Sequence, residues 1–376
     1  METKVRLSKP SISQQEIDRA TEILHSEFLG MGETVKEFEL KLEDFFGQDR
    51  YVATSNTGTS ALQLALQSIG VGRNDEVIVP TITYVASYQA ISATGAIPVP
   101  CDINLSSGNI DCQELEKLIN PKTKAIMPVH FAGDPKGLDK VYKLADYYQI
   151  RVVEDAAHAF GSFFHGSKIG SIGDIVCFSF DAIKNITTIE GGCVVSGSKE
   201  IKNKVSTLRL LAVENDSENR FKGKRTYKSN VYGQGWRYHM GNLNAAIGLV
   251  QLSRFNSFAI KRQKIAKEYD KRFSIDSCPV GFFKRNYSEI VPHIYPVFIK
   301  NRSEASRDML VDFLKSKGIE IGLHYFPNNK YSFFSSNRIF PATEKFYSSI
   351  LTLPLHTDLS EIDINYVSEM VNAFKL

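Results

Sequence analysis

No run of about 18 apolar residues occurs in this chain, which excludes a membrane-spanning helix as its organising element. The opening METKVRLSKP has no apolar stretch of the kind a secretory leader needs, so a cytoplasmic protein is expected. Cysteine is scarce: Cys101, Cys112, Cys177, Cys193 and Cys278 are odd in number, scattered and free of CxxC spacing. That pattern argues against a disulfide frame or a zinc site and leaves small core residues. The eight histidines are dispersed and no HExxH is present, so no metal centre is expected. Net charge is also slight, +3, with 45 basic and 42 acidic residues interleaved. The one denser basic run, Arg220 to Lys228, is too short for the stripe that a nucleic-acid binder displays. Internal repeats and low-complexity tracts are missing too.

What is there is ordinary in bulk and specific in order. A hydrophobic content of 43% and a charged content of 23% suit a globular protein, and 376 residues can bury a sizeable core in two or three compact units. Apolar residues recur at helical spacing from Ser13 to Glu27 and again from Glu33 to Phe46. The pattern then changes to short apolar runs alternating with helical stretches. Tyr51 to Thr54, Glu76 to Pro80, Ile97 to Cys101, Ala125 to His130, Arg151 to Glu154, Ile175 to Phe180 and Cys193 to Ser196 read as strands. Alternation of this kind predicts an α/β fold, a largely parallel sheet with helices on both faces. Glu214 to Gln234 has no usable periodicity and reads as a long surface loop. A long helical pattern, Asn242 to Phe273, leads into a smaller α+β part with a strand region at Ile290 to Ile299 and helices at Ala305 to Lys317 and Ser360 to Phe374. The expected organisation is a large domain, 1–255, and a small C-terminal domain, 256–376, onto which the first 15–30 residues can pack.

Chemistry concentrates between Val152 and Val195. Asp155 closes one apolar run and Lys184 follows another, so both charges fall where strands end, the edge at which open α/β sheets place ligands. An aldehyde cofactor held by an amine needs a lysine, and one whose pyridine nitrogen stays protonated needs a carboxylate. Upstream, SNTGTS (Ser55 to Ser60) lies between a strand and a helix, where free backbone N–H groups and the helix dipole favour an anion. Read more plainly, the same stretch is a turn with Thr59 or Ser60 as its N-cap.

Several ordered blocks carry a resemblance: SNTGTSALQLAL, GVGRNDEVIVPTITYVASYQAISATGAIPVPCDI, INPKTKAIMPVHFAGDPKGLDK, VVEDAAHAFGS, IGDIVCFSFDAIKNITTIEGG and NAAIGLVQL. Together they resemble the DegT/DnrJ/EryC1/StrS family of pyridoxal-phosphate-dependent sugar aminotransferases, from about Phe28 to Leu252 and more weakly through ILTLPLH (Ile350 to His356). The resemblance implies a fold-type I PLP-transferase and a homodimer with its active site near the interface. It implies that Lys184 is the Schiff-base lysine and proton carrier, that Asp155 partners the pyridine nitrogen, and that Tyr84 stacks on the ring. His158 would sit near the ring's phenolate oxygen, and Gly58, Thr59 and Ser179 would cradle the phosphate. Taken singly, each has a plain structural reading, such as a turn aspartate, a core tyrosine or a satisfied histidine; their joint order favours the site.

Two departures from the family bear on substrate. Where relatives commonly read GYNYRM, this chain reads GWRYHM, so Arg237 replaces an asparagine that reaches the partner subunit's cofactor phosphate, and His239 replaces an arginine. In HYFPNN, Asn329 stands where many relatives have histidine, close to His324. Arg237, His239 and His324 are thus candidate substrate residues. Lys184 argues against the branch of the family that carries histidine there and dehydrates its sugar. The expected reaction moves an amino group from L-glutamate, through the pyridoxamine form of the cofactor, to a keto sugar. That sugar is expected to be a nucleotide-linked keto-deoxysugar for cell-surface polysaccharide or related glycans. The alternatives are an acidic, non-nucleotide keto sugar whose carboxylate Arg237 reads, or a PLP-binding regulator without turnover.

Overall fold

The computed structural model describes residues 4–224, 229–301 and 303–375. Two amphipathic helices open it, α1 (Gln14–His25) and α2 (Glu33–Phe46). Ser13 caps α1 through a capping box with Glu16, which supplies two of the bonds that a free helix start lacks. The alternating part follows as β1 (Tyr51–Ser55), α3 (Gly58–Ser68), β2 (Glu76–Pro80), α4 (Val85–Ser92), β3 (Ile97–Cys101), α5 (Cys112–Leu118), β4 (Thr123–Ile126), α6 (Leu138–Tyr148) and β5 (Arg151–Asp155). A small hairpin, β6 (Phe163–Phe164) and β7 (Ser167–Lys168), precedes β8 (Ile175–Ser179), β9 (Gly192–Ser196) and α7 (Lys199–Leu208).

Seven of these strands form one sheet in the order β1-β9-β8-β5-β4-β2-β3. From β8 to β3 every pairing is parallel, whereas β9 runs antiparallel to both β1 and β8. Strands buried on both faces read as continuous apolar runs, which is why β5 and β8 were legible without alternation. Their core packs Val52, Phe178, Phe180, Cys193 and Val195 against α2 on one side and Ala53, Val77, Val153 and Val194 against α3 and α4 on the other. All five cysteines are free thiols, four of them fully buried.

The stretch 214–234, expected to be one loop, contains a short helix, α8 (Asp216–Phe221), closed by an Arg220–Asp216 pair at 2.8 Å. One apolar residue in six, Phe221, leaves too little periodicity to announce it. Residues 225–228 of that stretch lie outside the described residues, as does the end of the basic run from Arg220 to Lys228. The helix α9 (Asn242–Phe273) then runs for 32 residues. Its first half buries Ala245, Phe255 and Phe258 in the core of the large sheet. Its second half buries Ile265, Ala266, Tyr269 and Phe273 against a three-stranded antiparallel sheet of β10 (Val280–Phe282), β11 (Tyr295–Ile299) and β12 (Ile350–Leu353). The boundary expected at 255/256 therefore falls inside one continuous helix. α10 (Glu304–Ser316) and α12 (Glu361–Ala373) cover the small sheet, and α11 (Pro341–Tyr347) precedes β12. Of the strand region expected at Ile290 to Ile299, only Tyr295–Ile299 pairs, because Pro292 and the bonds of the preceding segment to other elements hold it outside the ladder. At the other end of the chain, Val5 bridges Ile319 and joins the small sheet's core.

Among the described residues no helix is long and apolar enough to cross a membrane. Within the same residues no group of three or more His, Cys, Asp or Glu side chains is placed to hold a metal ion.

Candidate active site

Ser55, Gly192 and Ser179 lie in one register row across β1, β9 and β8, and Cys177 pairs with Asp155 of β5. The carboxyl ends of β1, β5 and β8 thus open onto one edge of the sheet. A cavity of about 450 Å³ sits there, lined by Thr57, Gly58, Thr59, Tyr84, Asp155, His158, Ser179, Lys184 and, from the small-sheet side, His293, His324 and Tyr325. One local expectation needs correcting. The N-cap of α3 is Thr57, not Thr59 or Ser60: its hydroxyl accepts from Ser60 N at 3.0 Å. The helix therefore starts at Gly58, and the N–H groups of Gly58 and Thr59, two of the orphans every helix start leaves, line the cavity. Gly58 is needed there because a Cβ would lie 2.7 Å from Ser179 Cβ.

Asp155 is 6% exposed. Its Oδ2 accepts from Ser87 Oγ at 2.6 Å and its Oδ1 from Ala157 N at 3.2 Å, so α4 and the turn after β5 fix its orientation. Tyr84, the N-cap residue of α4, is 62% exposed at the rim, its ring 5.9 Å from that of Tyr325. Ser179 ends β8 and accepts from Asp181 N at 3.4 Å. Lys184, in the turn that follows, has its pKa pulled below the ordinary lysine value by desolvation, with Asp181 and Asp155 opposing and Arg262 reinforcing. Its Nζ lies 3.5 Å from His293 Nε2.

Three histidines surround that amine. His158 Nε2 meets the Tyr325 hydroxyl at 2.9 Å, and its ring lies 4.6 Å from that of His293. His324 Nδ1 meets Thr352 Oγ1 at 2.7 Å, and the peptide joining His324 to Tyr325 is cis. Burial holds all three rings neutral, His324 down to about 4, and the nearby Lys184 reinforces it in each case. Burial likewise raises the Tyr325 hydroxyl, which stays protonated.

Arg237 and His239 are not brought to this cavity within their own chain. Leu210 bridges Arg237, while the stacked pair Trp236 and Tyr238 anchors the segment on α3 through Gln67 and Gln63. Burial, followed by Arg220, Arg237 and Arg209, pulls His239 down to about 4. Sequence reasoning missed His293, Tyr325, Ser87, Asp181 and Glu190. Ser87 had a signal, since it lies one helical turn from Tyr84; His293 and Tyr325 arrive from loops of the small-sheet region, where no motif marks them.

A mostly parallel sheet with a reversed strand, a lysine after β8, a carboxylate ending β5 and an open helix start after β1 define the class: a fold-type I transferase. The chain itself matches the model of the DegT/DnrJ/EryC1/StrS aminotransferase family over residues 10–372, and it belongs to that family. It is 33% identical to the uncharacterized protein MJ1066 of Methanocaldococcus jannaschii over 374 residues, 98% of this chain and 96% of that one. Spr1654 from Streptococcus pneumoniae, in its PMP form, superposes with a TM-score of 0.90 at 29% identity, covering 97% of this chain and 98% of that one; it has also been solved in a PLP form. The sugar aminotransferase CalS13 from Micromonospora echinospora gives a TM-score of 0.87 at 28% identity, covering 98% and 99%.

Proposed function

We propose that this aminotransferase uses pyridoxal 5'-phosphate at Lys184 to move an amino group from L-glutamate to a keto sugar, a nucleotide-linked keto-deoxysugar destined for cell-surface or related glycans. The carrying observation is that a lysine with a depressed pKa, an oriented buried carboxylate and two free helix-start N–H groups line one cavity. These groups fit the cofactor: Gly58, Thr59 and the Ser179 hydroxyl line the same cavity as Lys184 and Asp155, and Gly58 approaches Ser179 more closely than any residue with a Cβ could. When bound, the cofactor supplies an electron sink for the carbon that loses its proton.

The chain's own residues do the rest. Gly58 and Thr59 N–H groups and the Ser179 hydroxyl bind phosphate. Asp155, held by Ser87 and Ala157, accepts the pyridinium N–H. Tyr84, exposed at the rim, offers its ring face for stacking, worth on the order of 1 kcal/mol. His158, kept neutral, offers hydrogen bonding beside the ring oxygen. Lys184, its pKa lowered by burial and its amine tethered beside the reacting carbon, would be a well-placed base.

The working unit is a homodimer, in which Arg237 of one subunit reaches the partner's phosphate and His239 the substrate side. Inside the cavity, His324 faces the acceptor. Asp181 and Glu190 also line it, and Glu190 is raised by burial and by Asp181. Two carboxylates lining the cavity disfavour a carboxylate on the sugar ring beside them, which supports a keto-deoxysugar whose charge is confined to its nucleotide diphosphate. The test is to aminate the cofactor with L-glutamate, then offer nucleotide-linked or free acidic keto sugars. Restoration of the aldehyde form by the nucleotide-linked set alone is expected; restoration only by acidic sugars overturns the acceptor assignment.

A further inference from the structure

The ring of His293 stands between two cavities. One is the main site, where Nε2 faces Lys184 Nζ at 3.5 Å. The other, behind the ring, measures about 20 Å³ and is lined by Ser8, Ile183, His293, His324 and Thr352. A water needs about 10–15 Å³ of such space and two or more polar partners. The Ser8 hydroxyl and the His324–Thr352 pair supply partners, and so does His293 Nδ1, which is buried without a hydrogen-bond partner among the described residues. A buried imidazole nitrogen left without a partner is costly, so a water there is favoured. The backbone at His293 is also fixed: Arg262, buried in α9 and without an ion pair among the described residues, donates from Nη1 to the carbonyls of His293 at 3.1 Å and Pro292 at 3.4 Å.

We propose that His293 is a positioning residue for Lys184, holding its amine and relaying protons between that amine and a water in the small cavity behind the ring. The proposal rests on the reading of Lys184 given above. In the relay, an N–H bond of the Lys184 ammonium breaks and its proton forms a bond to the His293 Nε2 lone pair. The Nδ1–H bond then breaks and that proton passes to the cavity water, which hands one of its own toward Ser8 and solvent. Amine and imidazole both end neutral, and one proton has left; the reverse sequence resets the pair. The groups facing His293 are Lys184, His158, His324 and Arg262, while Asp155 and Asp181 act on Lys184. Burial first, reinforced by Lys184 and Arg262, keeps a proton from resting on His293, which suits a relay and not a store.

The experiment uses the full-length, PLP-loaded protein and L-glutamate deuterated at its α carbon, in ordinary water. It reads how much deuterium survives on the methylene carbon of the pyridoxamine product. A working relay exchanges the label on Lys184 with solvent before it is delivered, so the wild-type protein retains little. His293→Gln is expected to raise retention about threefold or more with an intact visible band and unchanged KM for glutamate. Ser8→Val, which fills the small cavity and removes its hydroxyl while leaving His293 in the chain, is expected to raise it in the same direction, and it decides the matter if His293→Gln fails to fold. Wild-type retention in both variants, or in Ser8→Val alone where the other does not fold, overturns the relay. A wild-type protein that releases no label from glutamate overturns the reading of Lys184, and the relay with it.

Discussion

Gly58 and the histidines around Lys184 carry the most local consequences. A side chain at Gly58 would enter the space of Ser179, so Gly58→Val is expected to cost about 1–3 kcal/mol through overpacking and to weaken PLP binding at least tenfold or so. Equilibrium titration of the visible band, with a urea curve alongside, checks both. The histidines make the fold sensitive to acid. Below the ordinary histidine value of 6.5 the unfolded chain takes up protons that His158, His293 and His324 refuse when folded. Their contribution to stability is complete above that value and is lost as pH falls toward 4, at about 1.4 kcal/mol per pH unit for each ring while only the unfolded form titrates. Urea midpoints between pH 6.5 and 4.5 should therefore decline, and less steeply in His324→Gln. An unchanged slope contradicts the neutral-histidine account. At this scale Asp155 and Lys184 were legible because each follows a readable apolar run, whereas Ser179 and Tyr84 stood out only through the family resemblance. His293 was not legible, because VPHIYP has no local pattern and its meaning comes from a partner 109 residues away.

Elements explain why the site edge is rigid. Arg209, at the end of α7 and fully buried, donates from Nη1 to Glu39 Oε1 of α2 at 2.5 Å and to the Thr54 carbonyl of β1 at 2.6 Å. The same Glu39 oxygen accepts from Thr54 N at 2.8 Å. This network locks α2, α7 and β1 just before the Gly58 turn. Removing one partner of a buried pair leaves the other charge uncompensated, so Glu39→Ala is expected to destabilise by about 3–5 kcal/mol. Chemical denaturation gives the value, and a loss below about 1 kcal/mol would contradict a buried-charge role. The strands of the large sheet and the longer helices were readable from apolar runs and helical spacing, within a few residues at the ends, whereas β10 and β12 of the small sheet were not. Nor were the short pieces: α8 and the hairpin of β6 and β7 owe their existence to tertiary bonds, such as Ser217 Oγ to the Ser206 carbonyl at 2.7 Å and Phe163 N to Glu289 O at 2.8 Å.

At the scale of the whole molecule, α9 joins the core of the large sheet to that of the small one. Residues from both sides, Lys184 on one and His293, His324 and Tyr325 on the other, close a single cavity. Arg237 lies outside that cavity, and the proposed homodimer would bring it to the partner subunit's site. If so, mixing Lys184→Ala subunits with Arg237→Ala subunits, after dissociation and reassociation, should restore activity to a fraction of the sites, whereas neither variant alone should be active. No recovery in the mixture would place Arg237 outside the shared site.

The central claim is that Lys184 holds PLP and exchanges it with an amino donor, and one spectroscopic titration tests it most directly. Adding L-glutamate to the PLP-loaded protein should bleach the visible band of the lysine-bound cofactor while 2-oxoglutarate appears in equal amount; Lys184→Ala should show neither. A wild-type protein that forms no such band, or a Lys184→Ala variant that still yields 2-oxoglutarate, would contradict it.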